Sequence, residues 1–161
     1  MIQYKKYYMP GTKEELLKTI DTIDCTYDIL AGGTDLYAKE KTPFNGADAA
    51  IDISGIKEFS VIKLKKEEGL ITFGSNICIQ QFLEEKVLME NVPILRHAAI
   101  YFADQQIREM ATVGGNVANS SPSGDTIAPL TALEAVIHTI TSKDNKICEK
   151  ETPITEFITG V

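Results

Sequence analysis

The sequence lacks the residues from which metal and iron–sulfur centres are built. Its three cysteines, Cys25, Cys78 and Cys148, stand far apart, no Cys-x-x-Cys occurs, and the only histidines are His97 and His138. No ligand spacing for a metal ion or a cluster can be read from that set. Three cysteines leave one unpaired in any disulfide scheme, and the start Met1-Ile2-Gln3-Tyr4-Lys5-Lys6 has no apolar run of the secretory kind, so a reducing cytoplasm is the expected compartment. No apolar stretch approaches the roughly 20 residues that span a bilayer, so no membrane association is expected. Positive charge is short as well: 16 Lys and Arg face 23 Asp and Glu, for a net charge of -7, and the lysines are scattered. A nucleic-acid backbone therefore finds no electrostatic footprint.

What the chain does have is a core. With 161 residues and 43% hydrophobic content, it can bury one domain or two small lobes. Thr12-Lys13-Glu14-Glu15 has the form of a capping box, and Leu16, Leu17, Ile20 and Ile23 continue it as an apolar stripe, predicting a helix from about Lys13 to Ile23. Tyr27 to Ala31 and Ala49 to Ile53 read as strands, closing a first lobe near residue 55. A hairpin follows, Phe59 to Leu64 and Leu70 to Phe73, around Lys65-Lys66-Glu67-Glu68-Gly69. Ser75-Asn76 is expected to cap a helix through Leu83, and Pro93 to open another through Phe102. Asp125 is placed to cap a helix over Ile127 to Glu134, before an extended Val136 to Thr141 and a turn at Lys143-Asp144-Asn145-Lys146. Both lobes read as α+β.

Two glycine pairs carry the chemistry: Ala31-Gly32-Gly33-Thr34-Asp35-Leu36 and Thr112-Val113-Gly114-Gly115-Asn116-Val117. Glycine lets backbone amides approach an anion that a Cβ would block, and amides serve this purpose in an acidic protein without any lysine. An isolated Gly-Gly is more often a tight strand-to-helix turn, here with Thr34 as N-cap. Neither motif is a Rossmann fingerprint or a Walker loop. The second lies in a polar segment, residues 106–125, that reads as a long functional loop. There Thr112, Asn116, Ser120, Ser121 and Ser123 offer hydroxyl and amide groups, and Asp125 an acceptor for a polyol hydroxyl.

Taken together, Ala-Gly-Gly-Thr-Asp-Leu and Gln106-Ile107-Arg108 followed by Ala111-Thr112-Val113-Gly114-Gly115-Asn116-Val117 resemble the FAD-binding medium subunit of the molybdenum hydroxylases, the xanthine dehydrogenase and carbon monoxide dehydrogenase family. The resemblance runs from Tyr8-Met9-Pro10 to Val161. It implies an α+β, two-lobed FAD-binding domain of the PCMH or vanillyl-alcohol oxidase-like type, with lobes over residues 1–55 and 56–161 and FAD between them. By that analogy Ile29, Leu30, Ala31, Gly32, Gly33, Thr34, Asp35 and Leu36 cradle the pyrophosphate. Thr112, Val113, Gly114, Gly115 and Asn116 form the second wall, and Asp125 meets the polyol or ribose.

In the family a molybdenum-pterin subunit hydroxylates the substrate, a [2Fe-2S] subunit relays electrons, and FAD passes them to NAD+ or another acceptor. The chain is then an oxidoreductase component, inactive alone, with no catalytic side chain of its own, because the cofactor carries the chemistry. Arg108 is expected in a structural salt bridge rather than on a phosphate. Purines, other heterocycles, aldehydes and carbon monoxide all remain open as substrates.

The chain departs from the family at Asp104-Gln105, where a Gly-Pro step is common, and at Glu109-Met110. Family subunits continue beyond the length at which this chain stops, without their C-terminal domain here, so a fragment or a truncated product with weakened FAD binding is expected. The alternatives are a non-catalytic assembly module that docks partner subunits without tight flavin, and a flavoprotein of the vanillyl-alcohol oxidase type. The second lacks a substrate domain here, and neither His97 nor His138 sits in a setting for covalent flavin.

Overall fold

Three short strands at the start of the chain form a parallel sheet in the order β1-β3-β2: β1 (Lys6–Tyr8), β2 (Tyr27–Leu30) and β3 (Ala49–Asp52). In this computed structural model the described residues are 4–38, 46–121, 124–143 and 146–158. The register sets Tyr8 and Ile29 either side of Ile51, so one face of the sheet is apolar. Helix α1 (Lys13–Thr22) packs on Ile51 and Tyr8 and leaves Ile29 exposed. Thr12 caps the helix by accepting from the Glu15 amide, and the Glu15 carboxylate accepts from the Gly11 amide at 2.7 Å, one residue further back than the Thr12 amide of a standard capping box. Leu16, Ile51 and Ile56 form the buried centre of this cluster, with Ile20, Ile23, Tyr27 and the distant Ile140 packed round it.

After β2 the chain turns into a short helix, α2 (Thr34–Ala38). The antiparallel hairpin β4 (Ile62–Lys65) and β5 (Leu70–Phe73) follows β3. It starts later than the sequence predicts, because Phe59 and Ser60 lie in a 3₁₀ turn.

The helix expected from Ser75 to Leu83 is reduced to α3 (Gln81–Glu84). Residues 75–79 run alongside the second glycine motif instead. The Val113 amide donates to the Ile77 carbonyl, Cys78 bridges Thr112, and the Ile79 amide donates to the Ala111 carbonyl. Ile77 and Ile79 are fully buried, the alternation of an extended segment rather than a helix. Helix α4 (Lys86–Asn91), which the pattern missed, precedes α5 (Pro93–Tyr101), where Pro93 opens the helix as expected.

Residues 106–125 are not one long loop. Most are helical, in α6 (Gln105–Met110), capped by Asp104, and α7 (Val113–Asn119), capped by Thr112. Helix α8 (Ile127–Ala132) ends short of Glu134. The paired strands β6 (Val136–Lys143) and β7 (Lys146–Pro153) lead to α9 (Ile154–Phe157). Asp144 and Asn145 of the expected turn lie outside the described residues.

A second buried cluster joins Ile77, Ile79, Phe82, Leu88, Leu95 and Ile154 with neighbours from α7 and α8. The architecture is mixed helix and sheet, and among the described residues no helix is long and apolar enough to cross a membrane.

Candidate functional site

The first glycine motif leaves the carboxyl end of β2, the end of a parallel sheet where ligands gather. Its base is anchored by the Ile53 amide, which donates to the Leu30 carbonyl at 2.8 Å. Gly33 adopts φ +69, a left-handed conformation that glycine enters without a Cβ penalty. Thr34 is the first residue of α2 and not its cap, and the Tyr37 amide closes the turn on the Gly33 carbonyl at 2.9 Å. Among the described residues, no acceptor meets the amides of residues 32–36. Unused N–H groups at the mouth of a helix are donors that an anion can meet.

The second motif is built the other way round. The Val113 amide donates to Ile77, the Gly114 amide to Ser75 at 2.9 Å, the Gly115 amide to the Thr112 hydroxyl at 3.1 Å, and the Asn116 amide to the Thr112 carbonyl. All four are engaged inside the protein. A Cβ at Gly114 would lie 2.5 Å from the Ser75 Cβ, so this glycine lets α7 close on the extended segment. At Asn116, Oδ1 accepts from the Thr126 hydroxyl at 2.6 Å and from its amide at 3.3 Å, which assigns the side-chain amide and leaves Nδ2 as its remaining donor.

The two motifs meet. A Cβ on Gly32 would stand 1.8 Å from the Met110 carbonyl oxygen and 3.1 Å from the Ala111 Cα, so the first loop lies against the backbone that enters α7. Gly32 and Gly114 are thus required by protein–protein contact, whatever else lies near them.

Asp125 is exposed, and the N-cap position of α8 belongs to Thr126, without a side-chain cap bond. The expected cap is therefore absent. Ser120 adopts φ 49 and turns its hydroxyl to the Val117 carbonyl, while Ser123 lies outside the described residues.

Arg108 makes no salt bridge among the described residues, contrary to expectation. Its guanidinium donates to the carbonyls of Phe102 and Ala103 at 3.0 and 3.1 Å and to Gln80 Oε1 at 2.9 Å. Ala103 has φ 36, so Arg108 clamps a turn that an alanine enters only under strain.

Sequence reasoning overlooked the tyrosines beside the cradle. The Tyr4 hydroxyl donates to Asp28 at 2.8 Å and the Tyr7 hydroxyl to Asp52 at 2.6 Å. The hydrogen bond to Asp52, with burial and the carboxylate charge, pushes the Tyr7 phenol up to about 12. Burial first, then Asp28, pushes Tyr4 up as well. Burial works to raise Asp52, but hydrogen bonds from Ser54 and Tyr7 outweigh it and hold the carboxyl below its ordinary value. The signal available was Asp52 itself, a carboxylate ending an otherwise apolar strand.

Among the described residues, no group of His, Cys, Asp and Glu could hold a metal ion. Asn76 donates to the Ile53 carbonyl at 2.7 Å, and its buried Oδ1 has no partner among the described residues.

Residues 2–161 match the family described as the FAD binding domain in molybdopterin dehydrogenase. The chain is similar to the nicotinate dehydrogenase FAD-subunit of Eubacterium barkeri, 32% identical over 133 residues, covering 82% of this chain and 44% of that protein. It is also similar to the glyceraldehyde dehydrogenase medium chain of Sulfolobus acidocaldarius, 30% identical over 131 residues, covering 81% and 46%. Among solved structures, carbon monoxide dehydrogenase from Hydrogenophaga pseudoflava shares the fold, with a TM-score of 0.84 at 24% identity over 99% of this chain and 54% of that one. Quinoline 2-oxidoreductase from Pseudomonas putida 86 does so with a TM-score of 0.82 at 20% identity. The chain spans about half the length of these relatives.

Proposed function

The chain belongs to the family of FAD-binding domains in molybdopterin dehydrogenases, and from that premise we propose that it is the flavin station of such a complex. The observation that carries the reading is the run of amides over residues 32–36, none of which has an acceptor among the described residues. These N–H groups fit a diphosphate, and no cation is needed to hold it. Ile29 and Leu30 supply the strand that aims the loop, Ala31, Gly32 and Gly33 the turn, and Thr34, Asp35 and Leu36 the amides of the helix mouth.

Thr112, Val113, Gly114, Gly115 and Asn116 form the opposing wall. Because their amides are engaged internally, they contribute surface and the Asn116 Nδ2 donor rather than a second amide cradle. Asp125, exposed next to α8, accepts from a polyol or ribose hydroxyl. The two lobes divide near residue 55, with the cofactor between them.

When bound, FAD supplies the redox chemistry, and the protein supplies binding and orientation. No side chain is assigned a proton-transfer role. Electrons enter from a [2Fe-2S] subunit that serves a molybdenum-pterin subunit and leave for NAD+ or another acceptor, in a reducing cytoplasm, and the chain turns over no hydroxylation substrate alone.

Titration with FAD, followed by the flavin absorption bands and by calorimetry, tests this. Saturable binding of FAD that ADP displaces supports the reading. Protein that stays colourless and binds neither would favour an assembly module that docks partner subunits.

A further inference from the structure

Tyr37 follows the first glycine loop in α2 and is exposed. Its ring is folded back on Gly33, with Cε2 and Cδ2 only 2.8 and 3.1 Å from where a Gly33 Cβ would be, yet the residue is 66% exposed. Among the described residues its hydroxyl has no hydrogen-bond partner, whereas the phenols of Tyr4 and Tyr7 are held by Asp28 and Asp52. The Tyr37 phenol lies close enough to those of Tyr4 and Tyr7 to influence both.

The two glycines of the loop therefore face different neighbours. Gly32 abuts Met110 and Ala111, next to the second motif, while Gly33 abuts Tyr37, which lies near the Tyr4 and Tyr7 phenols. A dinucleotide whose diphosphate lies on the loop and whose flavin lies between the lobes sends its other half, the adenosine, toward the Gly33 side. The feature waiting there is an exposed aromatic ring whose edge occupies the space beside Gly33. Such a ring offers a stacking face at little further entropic cost, since only its own short side chain must be ordered.

We propose that Tyr37 is the platform on which the adenine of the cofactor stacks, so that the loop selects a dinucleotide over a flavin mononucleotide. The proposal rests on the FAD-binding reading given above.

The test measures dissociation constants of FAD, ADP and FMN for the wild type and for Tyr37→Ala, Tyr37→Phe and Tyr37→Leu. Tyr37→Ala is expected to weaken FAD and ADP by roughly 5- to 150-fold, the loss that one base–aromatic stack implies, with FMN unchanged. Tyr37→Phe keeps the affinity. Tyr37→Leu, which still fills the space over Gly33, does not restore it. The chain contains no tryptophan, so Tyr37→Trp introduces a single one, whose emission ADP is expected to quench on binding. The exposed ring predicts unchanged melting of the cofactor-free variants, which separates binding from folding.

Wild-type affinity in Tyr37→Leu would make the ring a brace for Gly33 and overturn the proposal. Unchanged FAD affinity in Tyr37→Ala, or Tyr37→Trp emission indifferent to saturating ADP, would do the same while leaving the FAD reading intact. A wild-type protein that binds neither FAD nor ADP overturns both.

Discussion

Gly32 and Met110 touch backbone to backbone: a Cβ on the glycine would sit 1.8 Å from the methionine's carbonyl oxygen. This contact brings a loop at the end of β2 to the entrance of α7, so the two glycine motifs become a single place only when it is made. The first glycine pair thus divides its work, with Gly32 joining the motifs and Gly33 turning the loop through its left-handed backbone.

Gly32→Ala is expected to destabilise the protein with or without FAD, because neither backbone can yield as the end of a flexible side chain would. A loss of about 3 kcal/mol, the upper part of the overpacking range, is the expected scale. Gly55→Ala, where nothing lies within 4 Å of the added Cβ, is the control. Denaturant melts of the cofactor-free proteins check this, and a Gly32→Ala variant as stable as the wild type would remove the contact from the account.

Within the second motif the two glycines should behave differently. Gly114→Ala drives a Cβ into Ser75 at 2.5 Å and should destabilise strongly. Gly115→Ala meets only the Thr112 hydroxyl, at 3.0 Å, and gains helix propensity of up to about 1 kcal/mol, so its net effect should stay within about 1 kcal/mol. Thr112→Ala should lose about 1 kcal/mol with the cap. Equal losses at Gly114 and Gly115 would contradict this division.

The contrast explains what the sequence disclosed and what it hid. Helix α1 was legible because the cap at Thr12 and Glu15 and the stripe through Leu16 and Ile20 agree with the final packing. The strands β2 and β3 were legible for the same reason. Helix α7 was hidden because Gly114 and Gly115 are poor helix formers, and their place in it depends on Ser75 and on the Thr112 cap. The segment 75–79 was misread as a helix because its pairing partners, residues 111–113, lie far away in sequence. At the site, the residue types of both motifs were visible. Which amides are used and which are open was not, since that is decided by tertiary partners.

Arg108 offers a test of how the turn before α6 is held. Arg108→Lys keeps the charge but loses the planar group whose Nη1 serves the Phe102 and Ala103 carbonyls while its Nε holds Gln80, and should cost about 1–3 kcal/mol. Part of that cost should disappear in an Ala103→Gly background, where φ 36 no longer strains a Cβ. A double-mutant cycle measures the coupling, and strict additivity would show that the clamp and the turn are independent.

The Tyr7–Asp52 pair makes stability depend on pH at both ends. The Tyr7 phenol, pushed up from 10.0 to about 12, contributes fully below pH 10.0, where the unfolded chain also keeps the proton. That contribution is lost as pH rises through about 12. Asp52 is held below its ordinary value, so its contribution is complete above the usual carboxylate range and is lost as pH falls through the depressed value. Tyr7→Phe removes one of the donors that hold Asp52 down, so acid unfolding should begin at a higher pH in the variant. On the alkaline side, the difference in melting temperature between wild type and Tyr7→Phe should be constant near neutrality and narrow from pH 10.0 towards 12. Melting curves by circular dichroism across the two ranges check both limbs, and a difference that does not change with pH would show that the hydrogen bond at 2.6 Å is not coupled to folding.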